Sequence, residues 1–277
     1  MKFYQVSSFT DNVFGGNPAG VCLLNGEWLS DELMQSIAAQ INLSETVFVL
    51  DKGGELYIRW FTPTVEVDLC GHATLAAAHV LYEYSQTSLC ETDSSDSQES
   101  TWLASCGGLV FKSGLYTLPV NYEDGMLVLD FPMAKIRKLK ADEVPLCFNF
   151  APKEFWTGND EYLLVFENQS QVECAVCDLE KAALIDLSGF IITAKAETPG
   201  LDFVSRYFGP KIGINEDPVT GSAHTLLVPY WQKIMGKDKF HAAQLSKRGG
   251  QLFCRADGDR VKISGKAVTF LTGEIIL

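Results

Sequence analysis

The sequence predicts a mixed α/β fold made of two like halves, each organised around a buried helix, and three observations carry that expectation. The first is the stretch Asp68-Leu69-Cys70-Gly71-His72-Ala73-Thr74-Leu75-Ala76-Ala77-Ala78-His79. From residue 73 to residue 82 only Thr74 and His79 are polar, so a helix here has no wet face and belongs inside the molecule. The second is Asn215-Glu216-Asp217-Pro218-Val219-Thr220-Gly221-Ser222-Ala223-His224-Thr225-Leu226-Leu227-Val228, which again sets a glycine and a polar residue before an apolar run. Gly71 and Gly221 stand 150 positions apart in a chain of 277, close to half its length. The third is the run of short β-forming segments, bounded by turn residues, on either side of both helices.

A buried helix still exposes its first unpaired N–H groups and the positive end of its dipole. Cys70, Gly71 and His72 therefore lie where an anion can be held, and that end is the candidate site.

The apolar fraction of 47% is that of a well-buried globular protein. A formal net charge of −13 excludes general affinity for nucleic acid or anionic membranes, which would repel the chain at long range. The first residues hold no continuous hydrophobic segment and no run approaches about 18 apolar residues, so neither a signal peptide nor a membrane span is expected and a cytoplasmic protein is the default. Eight cysteines in a chain this long do not make a disulfide scaffold. Cys174 and Cys177 form a Cys-x-x-Cys pair, but on a strand over 171–177 they point to opposite faces and cannot share a metal. His72 and His79, seven residues apart on a helix, are separated by roughly 10 Å. No metal site and no cofactor are expected.

In chain order, residues 2–10 alternate as a strand and residues 11–20 form a turn-rich loop that fits neither a Walker nor a dinucleotide fingerprint. A strand over 21–24 precedes a helix with Ser30 as N-cap, Asp31 and Glu32 in its first turn, and Leu33, Met34, Ile37, Ala38 and Ile41 along one face. Residues 42–46 lead into a strand over 47–50, which holds Glu45 at a strand entrance; taken alone, Glu45 reads as a solvated acid. Residues 55–62 form a further strand. Residues 85–101 turn to Ser, Thr, Asp, Glu and Gln without Lys or Arg, the composition of a mobile insertion. Strands follow over 102–112, 115–121 and 126–131, and a domain boundary is expected near Val120.

The second half reads as a segment over 139–148, strands over 161–167, 171–177, 189–195 and 202–208, and a short helix after Asp178. Its central helix, 222–235, contains Pro229, which should kink or shorten it, and ends on Gly236. Strands over 251–256, 260–265 and 267–277 complete the chain. Lys247-Arg248-Gly249-Gly250 reads as a solvated turn or a ligand clamp. The expected domains are residues 1–120 and 121–267, with 268–277 able to return to the first.

Five blocks in order resemble the phenazine-biosynthesis PhzF-like family, relatives of diaminopimelate epimerase and proline racemase. They are Phe14-Gly15-Gly16-Asn17-Pro18-Ala19-Gly20-Val21, Leu43-Ser44-Glu45-Thr46, Arg59-Trp60-Phe61-Thr62-Pro63, Cys70-Gly71-His72-Ala73-Thr74-Leu75 and Glu216-Asp217-Pro218-Val219-Thr220-Gly221-Ser222-Ala223. The resemblance implies a diaminopimelate epimerase-like fold of two similar α/β domains, each a curled sheet around a central helix, with the active site in the cleft between them. It implies that Glu45 is the general acid/base and that His72 and Asp217 hold the substrate and set proton positions. N–H groups near Gly71, Ala73, Gly221 and Ser222 would bind a small acid, with Asn17 and Ser44 as supporting hydrogen-bonders, and the protein would be a homodimer. The racemase relatives use two facing cysteines. Here Cys70 stands at one position and Val219 at the other, so a two-base inversion is disfavoured; Cys70 is left as a candidate reactive thiol or a small packed residue. The implied function is a cofactor-independent isomerase that shifts a proton on a small carboxylate. The alternatives are a silent ligand-binding protein on the same fold and, last, a Cys-dependent amino-acid racemase.

Overall fold

In the computed structural model the described residues are 1–90, 108–114 and 116–277, with side chains described outside 84–90. The chain divides into two compact units, Met1–Asp130 with Ser264–Leu277, and Phe131–Ile263.

In the first unit, β1 (Lys2–Ser8) pairs antiparallel with β2 (Asn17–Asn25), which runs parallel to β3 (Glu45–Lys52). The parallel step is made by α1 (Asp31–Ile41). Ser30 Oγ accepts the Leu33 amide at its start, and Asn42, left-handed at φ 55°, closes its end on Ala38 O at 3.0 Å. Met34, Ile37 and Ala38 on its inner face pack with Cys22, Leu24, Phe48, Leu50 and Phe61, the Met, Ile, Leu and Phe side chains each contributing about 1.5–3 kcal/mol when fully buried.

From β3 the chain turns back antiparallel into β4 (Glu55–Phe61), which pairs with the short β5 (Glu66–Val67). Arg59 ties this corner together, giving two 2.7 Å bonds to Glu66 and one of 2.8 Å to Asp31. The apolar helix α2 (Gly71–Cys90) then carries the chain across to β6 (Gly108–Lys112), parallel to β4, and β6 pairs antiparallel with β7 (Thr117–Glu123). Residues Ala73–Ala78, Val80 and Leu81 of α2 are all buried, and the helix packs against β1, β2 and β3. β7 pairs with β8 (Met126–Pro132) over Val120–Leu129, so a division at residue 120 cuts through a strand. The final strand, β18 (Ala267–Glu274), pairs antiparallel with β1.

The second unit repeats this order of pairings. β9 (Arg137–Leu139) and β11 (Glu161–Val165) flank β10 (Glu154–Gly158) antiparallel. A helical crossover of α3 (Gln169–Glu173) and α4 (Leu179–Ala183) leads to β12 (Gly189–Lys195), parallel to β11. β12 turns antiparallel into β13 (Phe203–Gly209), which pairs with β14 (Ile214–Asp217). The helix α5 (His224–Met235) then leads to β15 (Lys239–Gln244), parallel to β13, and β15 pairs antiparallel with β16 (Gly250–Asp257). β17 (Arg260–Gly265) follows. Each unit thus runs through hairpin, helical crossover, hairpin, longer-helix crossover and hairpin.

Several expectations need correction. Residues 17–20 are not loop but the start of β2, because Ala19 and Gly20 lie between β1 and β3 and Pro18 sits near the strand's beginning, where its missing N–H is tolerated. Residues 171–177 are not a strand: Asn168 Oδ1 accepts the Gln171 amide at 2.9 Å and caps a helical turn, so the face argument applied to Cys174 and Cys177 does not hold. The segment 139–148 leaves strand geometry after Leu139, where the Glu143 carboxylate accepts the Lys140 amide and sets a tight turn. Ser85–Cys90 extend α2 rather than opening an insertion, and residues 91–101 of that expected insertion lie outside the described residues. Pro229 does not interrupt α5: the carbonyl it deprives of a helical partner, Thr225 O, accepts the Ala134 amide at 3.1 Å instead.

Candidate active site

The side chains that matter in the first unit converge because the ends of β1, β2 and β3 meet the start of α2. Ser8 is the last residue of β1 and stands in register with Asn17, the first of β2; Ala19 of β2 is in register with Glu45, the first of β3. Gly16, at φ 61°, makes the approach to Asn17 possible, since a side chain there would strike the Ser8 carbonyl and the Thr10 side chain. Ser8 Oγ donates to the backbone carbonyl of His72 at 2.7 Å and so fixes the helix start against the strand.

Glu45 and His72 are buried, 7% and 4% exposed, and His72 Nε2 stands 3.1 Å from Glu45 Oε2. The contact is close but poorly aligned, leaving Oε2 with charge attraction and no well-formed hydrogen bond. The Asn17 amide nitrogen lies 3.1 Å from His72 Nδ1. Burial alone would lower the His72 pKa, but the adjacent Cys70 and Glu45 outweigh it and hold the imidazole well above its ordinary value.

Cys70 Sγ is 3.4 Å from His72 Nδ1 and 4.0 Å from Nε2. Burial and the Glu45 charge push its thiol up, opposed by His72 and the Ala73 amide. Cys70 also shapes the start of α2, since its carbonyl accepts the Thr74 amide at 3.1 Å and the Thr74 hydroxyl at 2.6 Å, and its sulfur takes the Ala73 amide, the position of an N-cap side chain. Gly71 and Ala73 are buried beside it, and Ser44 is half-buried just before β3.

In the second unit the sequence-predicted residues form their own group. Asp217 ends β14, 5% exposed, and its Oδ2 accepts the Thr220 hydroxyl at 2.5 Å. Gln244, which the sequence reading did not single out, braces this turn from the end of β15. Its amide donates to Asp217 O at 2.9 Å and to Thr220 Oγ1 at 3.1 Å, and its carbonyl accepts the Thr220 amide at 2.9 Å. Gly221 and Ser222 lie in the turn before α5, which begins at His224 rather than 222. His224 is fully buried, bonds Thr220 O through Nδ1 at 3.0 Å, and is pushed down to about 4 by burial, so it stays neutral. Val219 is fully buried and offers no second thiol.

His79 takes no part in the His72 group; it bonds Thr269 Oγ1 at 3.1 Å and lies 3.3 Å from Glu83. It lines a separate cavity of about 760 Å³ in the first unit, with Tyr4, Tyr82, Tyr122 and Lys266. None of the sequence-predicted site residues lines that space. No described helix is long and apolar enough to cross a membrane.

Residues 6–273 match the family model described as phenazine biosynthesis-like protein. An uncharacterized isomerase of Pseudomonas aeruginosa is 43% identical over 100% of this chain and 99% of its own length, and one of Halalkalibacterium halodurans is 38% identical over 99% and 98%. Among solved structures, a phenazine biosynthesis protein of the PhzF family from Enterococcus faecalis superposes with a TM-score of 0.86 at 37% identity, covering 100% of this chain and 99% of the other.

Proposed function

The chain belongs to the phenazine biosynthesis-like PhzC/PhzF family, and from that premise we propose that it is a cofactor-independent isomerase in which Glu45 moves a proton on a small carboxylate-bearing substrate. The single observation that carries the reading is the buried Glu45 carboxyl, held at a strand mouth 3.1 Å from His72 at the start of a buried helix. A buried carboxylate held at fixed geometry is suited to abstracting a proton and, after exchange of its own O–H with solvent in part of the turnovers, delivering one back.

In the proposed step a Glu45 oxygen takes a proton from a carbon next to an unsaturated system. The C–H electron pair moves into the conjugated system, and the protonated Glu45, its proton open to exchange with solvent, delivers a proton to a carbon further along it. His72, raised from its ordinary value and 3.1 Å from Oε2, stabilises the carboxylate before the transfer, and amide groups at the start of α2 stabilise negative charge developing on the substrate. The family resemblance assigns Asp217 to the same reaction as a substrate-holding carboxyl. Its bonds to Thr220 and to the Gln244-braced turn support a fixed role, and Asp217→Asn tests it. By the same resemblance the protein is a homodimer, which sedimentation velocity reads directly.

The test is enzyme-dependent deuterium uptake from heavy water into pooled small acids. Wild-type protein should label at least one component and Glu45→Gln should label none. Equal labelling by both removes Glu45 from the mechanism, and no labelling by wild type favours a silent binding protein.

A further inference from the structure

Cys70, His72 and Glu45 place three different donor atoms, a sulfur, an imidazole nitrogen and a carboxylate oxygen, within 4.8 Å of one another in a buried spot. Proton transfer by Glu45 uses the oxygen and the nitrogen. It has no use for the sulfur. We propose that these three side chains also form a binding site for a soft divalent cation, with zinc as the ion whose chemistry fits best.

The donor set is the first argument. Thiolate, imidazole and carboxylate are the ligands that zinc accepts, and three protein donors with a fourth position left for water or a substrate oxygen is a common zinc arrangement. Calcium and magnesium, which require oxygen ligands, are disfavoured by the same set.

Geometry is the second. With Zn–N near 2.0 Å and Zn–S near 2.3 Å, ligand atoms around a tetrahedral ion stand roughly 3.3–3.6 Å apart. Here Glu45 Oε2 to His72 Nε2 is 3.1 Å and Cys70 Sγ to His72 Nε2 is 4.0 Å. Side-chain movements of a few tenths of an ångström for the first pair, and somewhat more for the sulfur, would seat the ion. Glu45 Oε2 is also buried without an aligned hydrogen bond, so the position has an acceptor that a cation would satisfy.

The surroundings are the third. Ligands of a metal are held by their own partners, and Cys70 and His72 already have them. The Ala73 amide points at Cys70 Sγ, Ser8 anchors the His72 carbonyl, and the Asn17 side-chain amide, 3.1 Å from His72 Nδ1, would turn its oxygen to the Nδ1–H of a metal-bound ring. On binding, the Cys70 thiol and the His72 ring each give up a proton to solvent, the S–H and Nε2–H bonds being replaced by bonds to the metal; no electron changes hands. If Glu45 is the acid/base proposed above, the bound ion occupies its lone pair and blocks turnover, a consequence that rests on that reading, whereas the binding itself does not.

The experiment uses cobalt(II) as a coloured stand-in for zinc, added to the purified full chain under reducing, thiol-free conditions. The expected result is a thiolate-to-cobalt charge-transfer band that saturates at one equivalent and is displaced by zinc. Cys70→Ser should lose the band while Cys174→Ser keeps it, and Glu45→Gln should keep it with affinity weakened about tenfold or more. X-ray absorption of the zinc-loaded wild type, which needs no variant to fold, should find one sulfur among nitrogen and oxygen neighbours. No band in wild type, a band that survives Cys70→Ser, or a zinc shell with no sulfur or with several overturns the proposal. Because none of these readouts requires turnover, failure here leaves the isomerase reading standing, and failure of deuterium uptake leaves the metal site standing.

Discussion

Glu45 Oε2 lies 3.1 Å from His72 Nε2 although the two residues belong to different elements, one opening β3 and the other in the first turn of α2. The pair is therefore only as well placed as the packing of that strand on that helix. Removing either group should cost catalysis far more than stability. Glu45→Gln and His72→Asn are each expected to lower deuterium wash-in about 10²–10⁴-fold, the range for loss of a general acid/base and its partner. Far-ultraviolet circular dichroism should be unchanged, and a variant that exchanges at the wild-type rate would exclude its residue from the chemistry.

Asn17 tests the support of that pair. Replacing it by leucine keeps the bulk but takes the amide away from His72 Nδ1, leaving a buried polar atom without that partner. The expected cost is about 1–3 kcal/mol in urea unfolding, together with reduced wash-in. An unchanged midpoint would mean that the Asn17 amide does not hold the ring.

Glu161 makes stability depend on pH. Burial lifts its carboxyl, the Tyr207 hydroxyl opposes the lift, the Asp160 charge adds to it, and the result is pushed up to about 7. A carboxyl raised on folding binds its proton more tightly in the native state than in the unfolded chain. Its contribution is therefore fully favourable below the ordinary carboxylate value of 4.5 and is lost as pH rises towards about 7. The loss is on the order of 3 kcal/mol. Glu161→Gln should flatten urea midpoints between pH 4.5 and about 7, where the folded and unfolded states bind different numbers of protons, and stabilise the protein above that window; a slope the same as wild type would refute the assignment.

Arg206 holds the approach to Asp217. It forms a two-pronged pair with Glu216 at 2.6 and 3.0 Å and donates to the carbonyls of Val172 and Ala175 at 3.0 and 2.8 Å. A lysine cannot reproduce this planar set. Arg206→Lys is expected to lower stability by about 2 kcal/mol, and Arg206→Ala by about 3–5 kcal/mol because it leaves Glu216 half-buried and unpaired. Calorimetry of both variants provides the check, and a smaller loss for alanine than for lysine would contradict it.

Much of this was legible in the sequence wherever local chemistry decides the outcome. Ser30 caps α1 as its side chain requires, β12 occupies Gly189–Lys195 as its apolar run indicates, and the apolar helix after Cys70 is buried. The errors have equally local causes. Residues 171–177 read as a strand, yet Asn168 carried a capping signal that favours a helical turn. Turn-forming Pro18 and Gly20 concealed a strand that two neighbours enforce. Gln244 was not legible because a neutral amide acquires its role only when folding brings it back to a turn at 217–220. The nearness of Cys70 to Glu45 was hidden in the same way: spacing along the helix excluded a pair of histidines, but sequence distance says nothing about a carboxylate arriving from another strand.

The pairing of β18 with β1, sealed by bonds between Met1 and Ile275 in both directions, dictates when the first unit can be finished during synthesis. β1 leaves the ribosome more than 250 residues before its partner β18, while residues 131–263 between them are contiguous and can settle beforehand. The nascent chain must keep one side of β1 uncovered until β18 emerges, a stage at which a chaperone has a defined edge to shield.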